Sequence, residues 1–242
     1  MSGLVIAIDG PSASGKSTVS RRVAQRLHFI HVDSGSLYRG ITLYFLSHKV
    51  KLPAADSAVI AVVLKQIRMD FLVRDNAVKF SIDGVEPDAA LRSEAVNNNV
   101  SQIAALPAVR KWVVNKLREM PVLGDLVMEG RDIGTAVFPE AIFKFYLDAA
   151  PEERARRRYL ETAGVNINNC HIYQAVGMAK GVTAYDDILR SILKRAGIDS
   201  SRAFDPLKVA PGAVVIQSTK MSVDEVVDLI VKKVQSSRFI VQ

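Results

Sequence analysis

A glycine-rich loop near the N-terminus constrains the fold of this chain more than any other feature. Residues 10–17 read Gly-Pro-Ser-Ala-Ser-Gly-Lys-Ser and fit the phosphate-binding pattern G-x-x-x-x-G-K-[ST]. The apolar run 4–8 precedes the loop and predicts a buried parallel strand, while Val19, Val23 and Leu27 follow it at helical spacing. The order strand, glycine loop, helix predicts an α/β protein that binds a nucleoside triphosphate.

The residue types in this loop match the chemistry of polyphosphate binding. Gly10 and Gly15 permit a close backbone approach, so that N–H groups of the loop and of the following helix can surround phosphate oxygens. Lys16 supplies a point charge to the β and γ oxygens, and Ser17 offers its hydroxyl to Mg²⁺. The residues expected to bind the triphosphate are Gly10, Pro11, Ser12, Ala13, Ser14, Gly15, Lys16, Ser17 and Thr18.

Composition limits the classes of protein that remain. The 242 residues fit one α/β domain with insertions, and an apolar fraction of 49% suffices for a sizeable core. The longest apolar run, residues 58–64, is too short to cross a bilayer, and Asp9 interrupts the first apolar stretch before a signal peptide could form. Cys170 is the only cysteine. We therefore expect a cytoplasmic protein from a reducing compartment, without a membrane partner.

Strand and helix patterns alternate along the chain, which predicts a parallel β-sheet covered by helices. The runs 71–73 and 78–82 flank a turn at 74–76 and predict a β-hairpin, followed by one helix over 94–105 and another from Pro107. This hairpin and helix pair interrupt the alternation and are interpreted as an inserted lobe that overhangs the phosphate site. Further elements are predicted as strands at 126–129, 142–147 and 214–216, and as helices from Pro151, over 184–195 and after a capping box at Ser222.

The net charge of +7 is compatible with polyanionic partners, but the aromatic content is only 7% and no base-stacking pattern is present. A GTP switch is disfavoured because no aspartate has glycine three residues later. A motor needs a metal-binding carboxylate after an apolar strand, for which Glu129 is the nearest candidate. Phosphoryl transfer to a small acceptor remains, and it requires side chains that clamp two anions. Isolated arginines suited to that task are Arg39, Arg110, Arg131, Arg195 and Arg202.

Several motifs, in order and nearly in register, resemble those of the bacterial cytidylate kinases, which transfer the γ-phosphoryl group of ATP to CMP or dCMP. The resemblance covers nearly the whole chain and rests on the segments 8–18, 33–39, 101–110, 129–139, 147–158 and 199–207. It implies the P-loop NTPase fold as a single nucleoside monophosphate kinase domain over 1–242. The implied parts are a core at about 1–55, 121–150 and 205–242, a monophosphate-binding insertion at about 56–120 and a helical lid at about 151–204.

The same resemblance implies roles for individual residues. The implied catalytic residues are Lys16, Arg131, Arg195 and Arg202. In the acceptor site, the implied phosphate contacts are Ser34, Arg39, Arg131 and Arg202, the cytosine contacts are Ser101, Arg110 and Asp132, and the ribose contacts are Arg195 and Asp199. Arg157 and its neighbours Arg154, Arg156 and Arg158 would close over ATP, with at least one of the four facing solvent.

The expected ligands are ATP, CMP or dCMP, and Mg²⁺ held by Ser17, in a monomer without a nucleic-acid partner. The chain departs from the family at Ala196, where aspartate is usual, and in a longer segment over 164–183. Kinases for UMP, AMP or shikimate remain open as alternatives of the same class. A nucleotide-gated protein that binds nucleic acid is the alternative from another class.

Overall fold

A seven-stranded β-sheet organises the computed structural model, which describes residues 3–50, 57–162 and 182–238. The strand order is β3-β4-β2-β5-β1-β6-β7. Neighbouring strands pair in parallel except for β3 and β4, which form an antiparallel hairpin at one edge. The strands are β1 (Val5–Asp9), β2 (Ile30–Asp33), β3 (Met69–Arg74), β4 (Ala77–Ile82), β5 (Leu126–Gly130), β6 (Phe143–Asp148) and β7 (Val214–Gln217).

Eight α-helices within the described residues connect and cover these strands. They are α1 (Lys16–Leu27), α2 (Ser34–Ser47), α3 (Ser57–Gln66), α4 (Glu94–Ile103), α5 (Pro107–Glu119), α6 (Pro151–Thr162), α7 (Val182–Ser201) and α8 (Val223–Arg238). A 3-10 turn at Asp88–Arg92 precedes α4, and a π-helical turn at Ile133–Val137 follows β5. The predicted α/β class with a mostly parallel sheet is confirmed.

Strand β1 lies inside the sheet, between β5 and β6, and has one layer of the core on each of its faces. Val5 and Ala7 point into the apolar cluster beneath α2, α3 and α5, whereas Ile6 and Ile8 point into the cluster beneath α1 and α8. Alternate side chains of a strand face opposite sides, so a strand covered on both faces must be apolar at every position. This requirement explains the unbroken apolar run before the glycine loop.

The carboxyl ends of β1, β2, β5 and β6 meet at one edge of the sheet. Asp9 pairs in register with Gly130 on one side and with Tyr146 on the other, and Asp33 pairs with Glu129. Loops that follow these strand ends lie side by side, and this is the edge at which open α/β sheets bind ligands. The glycine loop after β1 therefore lies at the switch point of the sheet.

Most elements predicted from the sequence are confirmed, with two differences. The hairpin extends the central sheet, because β4 pairs with β2 at His31 and Ala77. The predicted end of a helix at 195 is wrong, since α7 continues to Ser201. A glycine inside a helix costs only about 1 kcal/mol, and burial of Asp199 beyond Gly197 favours the longer helix. The segment 163–181 lies outside the described residues, and no described helix is long and apolar enough to cross a membrane.

Two glycines predict opposite effects of alanine on stability. A Cβ at Gly10, where φ is +150°, would lie 2.1 Å from the carbonyl oxygen of Leu147, so Gly10→Ala should lower the free energy of unfolding by about 3 kcal/mol. Apart from its chain neighbours and the backbone of its own helix, no described atom lies within 4 Å of a Cβ at Gly197, so Gly197→Ala should raise that free energy by about 1 kcal/mol. Urea denaturation of both variants measures these changes. A Gly10→Ala protein as stable as the parent would contradict the close packing of the loop on β6.

Candidate active site

The glycine loop joins β1 to α1 and holds the ammonium group of Lys16 in a buried position. Gly15 precedes the helix with φ +92°, a conformation that favours glycine. The Nζ atom of Lys16 donates to the carbonyl oxygen of Pro11 at 2.6 Å and to Ser14 Oγ at 3.4 Å. Burial lowers the pKa of Lys16 well below its usual value, and repulsion from Arg131 adds to this effect. An anion bound at the loop would relieve both penalties.

The first turn of α1 is tied to the end of β5 by a buried carboxylate. The hydroxyl of Ser17 donates to Glu129 Oε2 at 2.7 Å. Burial alone would raise the pKa of Glu129, but the hydrogen bond and charge of His31, with the charge of Lys16, hold it below its usual value. The backbone carbonyl of Glu129 accepts a hydrogen bond from Ser34 Oγ at 2.6 Å. Glu129 is therefore ionised at neutral pH and connects the phosphate loop with the start of α2.

Two arginines of α6 reach the outside of the glycine loop. Arg154 Nη1 donates to the carbonyl oxygen of Ser12 at 3.3 Å, and Arg157 Nη1 donates to that of Ser14 at 3.0 Å. Arg157 also donates to the backbone carbonyl of Ser218 at 2.7 Å. These contacts place two cationic side chains beside the predicted triphosphate site.

Glu153 orients Arg157 from within the same helix, while the side chain of Arg158 is partly exposed. Arg157 Nε lies 2.8 Å from Glu153 Oε1, and Arg156 Nε lies 2.7 Å from Glu153 Oε2. The side chain of Arg158 is 42% exposed and pairs with Glu161. Burial lowers the pKa of Arg39 and of Arg195, and the charge of Arg158 adds to both shifts, so Arg158 lies close to these two side chains. That at least one arginine of this run serves only as a solvent face stays a prediction.

A second cationic cluster faces the loop from β5 and α7. Arg131 Nε donates to Asp199 Oδ2 at 3.0 Å, and Arg195 lies one helical turn before Asp199. Burial lowers the pKa of Arg195 to about 10, repulsion from Arg131 adds to the shift, and Asp199 opposes it. Burial likewise lowers the pKa of Arg202. The Nε atoms of Arg195 and Arg202 are buried and have no hydrogen-bond partner among the described residues. This cluster has free donors and unbalanced positive charge.

Arg110 and Asp132, both expected to contact a base, bind each other in this structure. Arg110 Nη2 donates to Asp132 Oδ2, and Arg110 Nε donates to Asp205 Oδ2 at 2.9 Å. Burial raises the pKa of Asp132, and the Arg110 guanidinium opposes that rise. The guanidinium lies 5.6 Å from the centre of the Tyr38 ring, and the Tyr38 hydroxyl is buried with no partner in the described part of the chain. The side chains of Arg110 and Asp132 are therefore held near α2 and the end of β5.

The remaining predicted acceptor residues lie on α2 and α4. Arg39 Nη1 donates to Asn97 Oδ1 at 2.7 Å and to the carbonyl oxygen of Leu91 at 3.1 Å. Burial lowers the pKa of Arg39. Ser101 lies one turn after Asn97 on the same helix, and its side chain makes no hydrogen bond to the described residues. The structure therefore does not join Ser101 to the other two predicted base contacts.

Several residues of this site carry no role in the sequence-based predictions. Asp9 is buried and accepts hydrogen bonds from Ile133 N at 2.9 Å and from Gly134 N at 2.8 Å, which fastens the turn after β5. Burial raises the pKa of Asp9 to about 6, and these hydrogen bonds oppose the rise. The sequence signal that could have identified Asp9 was its position as an acidic residue at the end of an apolar strand. Residues without such a signal are His31, Tyr38, Glu153 and Asp205.

Comparison with known proteins gives matches along nearly the whole chain. The sequence profile of the family described as cytidylate kinase matches residues 6–236. The cytidylate kinase of Fusobacterium nucleatum is 36% identical over 235 residues, which cover 97% of this chain and 99% of that protein. The cytidylate kinase of Lactiplantibacillus plantarum is 39% identical over 237 residues, with 97% of both chains covered. A solved shikimate kinase from Bacteroides thetaiotaomicron is 11% identical with a TM-score of 0.43 over 96% of this chain and 97% of that one, a likeness too weak to bear on function.

The buried, unbalanced charge of Arg195 predicts that removal of this side chain will not lower the stability of the protein but will weaken anion binding. Arg195→Met removes a buried group whose charged form is disfavoured, so the melting temperature of the unliganded protein should stay equal or rise. Added CMP should raise the melting temperature of the parent, and this rise should fall by more than half in the variant. The control is Arg190→Met on the same helix, where the side chain is 75% exposed and both values should stay unchanged. A destabilised Arg195→Met protein with a full response to CMP would contradict the assignment.

Proposed function

Because this chain belongs to the cytidylate kinase family, we infer that it transfers the γ-phosphoryl group of ATP to CMP or dCMP, which yields ADP and CDP or dCDP. The observation that carries this inference is the buried cationic cluster beside the glycine loop. Lys16 lies on the loop side, Arg131 and Arg195 lie on the other, and repulsion from Arg131 adds to the effect of burial in lowering the pKa of both Lys16 and Arg195. Positive charges this close together in a desolvated site require anions between them.

On the donor side, we propose that residues 10–18 and Arg157 bind ATP. The loop N–H groups and the amino end of α1 would surround the β and γ phosphates, as the positive end of a helix favours anions. Lys16 would neutralise charge on the transferring group. The hydrogen bond that Arg157 Nε donates to Glu153 supports the proposed role of Arg157, because it fixes the guanidinium beside the loop before a ligand arrives.

On the acceptor side, the proposed contacts divide by the part of the nucleotide that they bind. The phosphate would be held by Ser34, Arg39, Arg131 and Arg202, the ribose by Arg195 and Asp199, and cytosine by Ser101, Arg110 and Asp132. The buried Nε donors of Arg195 and Arg202 support this division, because they have no partner within the described residues. Such donors are costly, and a phosphate or ribose oxygen would satisfy them.

The Ser17 hydroxyl and the Glu129 carboxylate fit the oxygen chemistry that Mg²⁺ prefers. Ser17 donates its hydrogen to Glu129 at 2.7 Å, which leaves its oxygen lone pairs available. When ATP is bound, Mg²⁺ would supply positive charge that neutralises the phosphate oxygens. Ser17 is the proposed protein ligand.

The proposed reaction is a direct in-line transfer without a covalent enzyme intermediate. The residues hold donor and acceptor in line, and closure of the insertion at about 56–120 and the lid at about 151–204 would exclude water. The protein would act as a monomer in the cytoplasm, with nucleotides rather than nucleic acid as partners. A coupled assay of ADP formation with CMP, dCMP, UMP, AMP and shikimate tests the function, and turnover that is not fastest with CMP or dCMP would contradict it.

Lys16→Met should lower kcat by about 10²–10³-fold or more, because it removes positive charge from the transferring phosphoryl group. The protein should remain folded by circular dichroism, since methionine can fill the buried volume of the lysine stem. Lys65→Met on the exposed side of α3 is the control and should retain parental turnover. A folded Lys16→Met protein with half of the parental kcat would overturn the role of Lys16.

Asp132→Ala should lower kcat/KM for CMP about tenfold and narrow the preference for CMP over UMP. The amine at cytosine C4 donates a hydrogen bond that a carboxylate accepts, whereas uracil presents an oxygen there. A base contact of this kind is worth about 1–3 kcal/mol of discrimination.

The control for this prediction is Asp205→Ala, which removes the other carboxylate that holds Arg110. If Asp132 recognises the base directly, only Asp132→Ala should change the ratio of kcat/KM for CMP to that for UMP. Equal loss of activity on both substrates in both variants would mean that Asp132 acts by holding Arg110.

A further inference from the structure

A buried histidine lies beneath the phosphate loop and contacts none of the proposed substrate-binding residues directly. His31 is on β2, and its side chain is 6% exposed. Its Nε2 atom lies 3.0 Å from Glu129 Oε1 and 3.1 Å from Ser20 Oγ. A buried polar side chain needs partners, and both partners of His31 belong to elements that border the loop.

The hydrogen-bond network assigns the proton to Nε2. The hydroxyl of Ser20 donates to the backbone carbonyl of Lys16 at 2.7 Å, so it can only accept from His31. The ionised carboxylate of Glu129 also only accepts. Since both neighbours are acceptors, Nε2–H is the donor to each of them.

Glu129 uses its two carboxylate oxygens on different sides. Oε1 accepts from His31, and Oε2 accepts from the Ser17 hydroxyl at 2.7 Å. A glutamate side chain has three rotatable bonds, so one hydrogen bond leaves its carboxylate free to turn. The hydrogen bond from His31 Nε2 fixes the position of Oε1, and it thereby fixes the direction in which Oε2 faces Ser17.

We propose that His31 is a positioning residue for the phosphoryl transfer. Through Glu129, it holds the hydrogen of the Ser17 hydroxyl away from the nucleotide, so that the lone pairs of Ser17 Oγ face the cation that accompanies ATP. A hydroxyl has one hydrogen and two lone pairs, and the direction of the hydrogen decides what the lone pairs can bind. The inference rests on the proposed role of Ser17 in Mg²⁺ binding.

A positioning role and a packing role make different predictions for substitutions at this position. Gln can place an N–H donor near the position of His Nε2, whereas Asn is one bond shorter and Leu has no donor. Positioning predicts that Gln preserves function while Leu and Asn impair it. A packing role predicts that the Gln, Asn and Leu variants all lose stability, whether or not the new side chain carries an N–H donor.

The experiment measures ATP binding by calorimetry with and without saturating Mg²⁺, alongside kcat and KM for ATP and CMP, in the full-length protein. For His31→Leu, the gain in ATP affinity from Mg²⁺ should shrink about tenfold, as outer contacts of metal ligands commonly contribute that much. KM for ATP should rise with it, KM for CMP should stay within twofold, and His31→Gln should recover most of the loss. The control is Thr42→Val, which removes another buried side-chain hydrogen bond, from Thr42 to the Tyr38 carbonyl, and should not change the Mg²⁺ effect.

An unchanged Mg²⁺ effect in His31→Leu, or equal impairment of the Leu and Gln variants at equal loss of melting temperature, would overturn the proposal. If the Leu variant fails to fold, the comparison of Gln with Asn decides by the same criteria. Failure of the parent to phosphorylate CMP would contradict the proposed function alone, because the calorimetric comparison of ATP with and without Mg²⁺ does not depend on the acceptor.

Discussion

The burial of the Lys16 ammonium at the carboxyl edge of the sheet is the constraint on which the rest of the site depends. A desolvated cation must be balanced, and three carboxylates act on it, those of Glu129, Asp9 and Asp199. Each carboxylate also fastens a different element: Glu129 holds the start of α1, Asp9 holds the turn after β5, and Asp199 holds Arg131 against α7. The same three carboxylates therefore balance the lysine charge and hold the elements around it in place.

Sequence patterns predicted the features that depend on local chemistry. The apolar run before the loop, the hairpin around Asp75 and Asn76 and the capping box at Ser222 each follow from neighbours in the chain, and the structure has all three. The pairing of Arg110 with Asp205 and the position of His31 against Glu129 depend on chain segments that meet only in the folded sheet. No spacing rule could have supplied them, and the extent of α7 beyond Gly197 was missed because it depends on the burial of Asp199.

Before a ligand binds, the arginines of the proposed acceptor site differ in how completely their hydrogen-bond donors are paired. Arg110 is fully engaged, with carboxylates at two of its nitrogens and an aromatic ring at its face. The buried Nε donors of Arg195 and Arg202 find no partner in the part of the chain that the structure describes, which costs stability before a ligand binds. The first arrangement fixes the geometry of the Arg110 side chain. The second makes ligand binding more favourable, because a ligand can supply the partners that Arg195 and Arg202 need. A site that needs both precision and affinity can divide these tasks between different arginines.

The position of β1 between two strands that come much later in the chain also affects how the protein is made. Its partners are β5 and β6, which begin only at Leu126 and Phe143, so the strand before the phosphate loop emerges early and cannot complete its hydrogen bonds until much later. At synthesis rates of about 5–20 residues per second, the delay is on the order of ten seconds. During this time, the apolar side chains of β1 depend on α1, or on a chaperone, for cover. Parallel pairing over such a separation also makes assembly of the sheet slow.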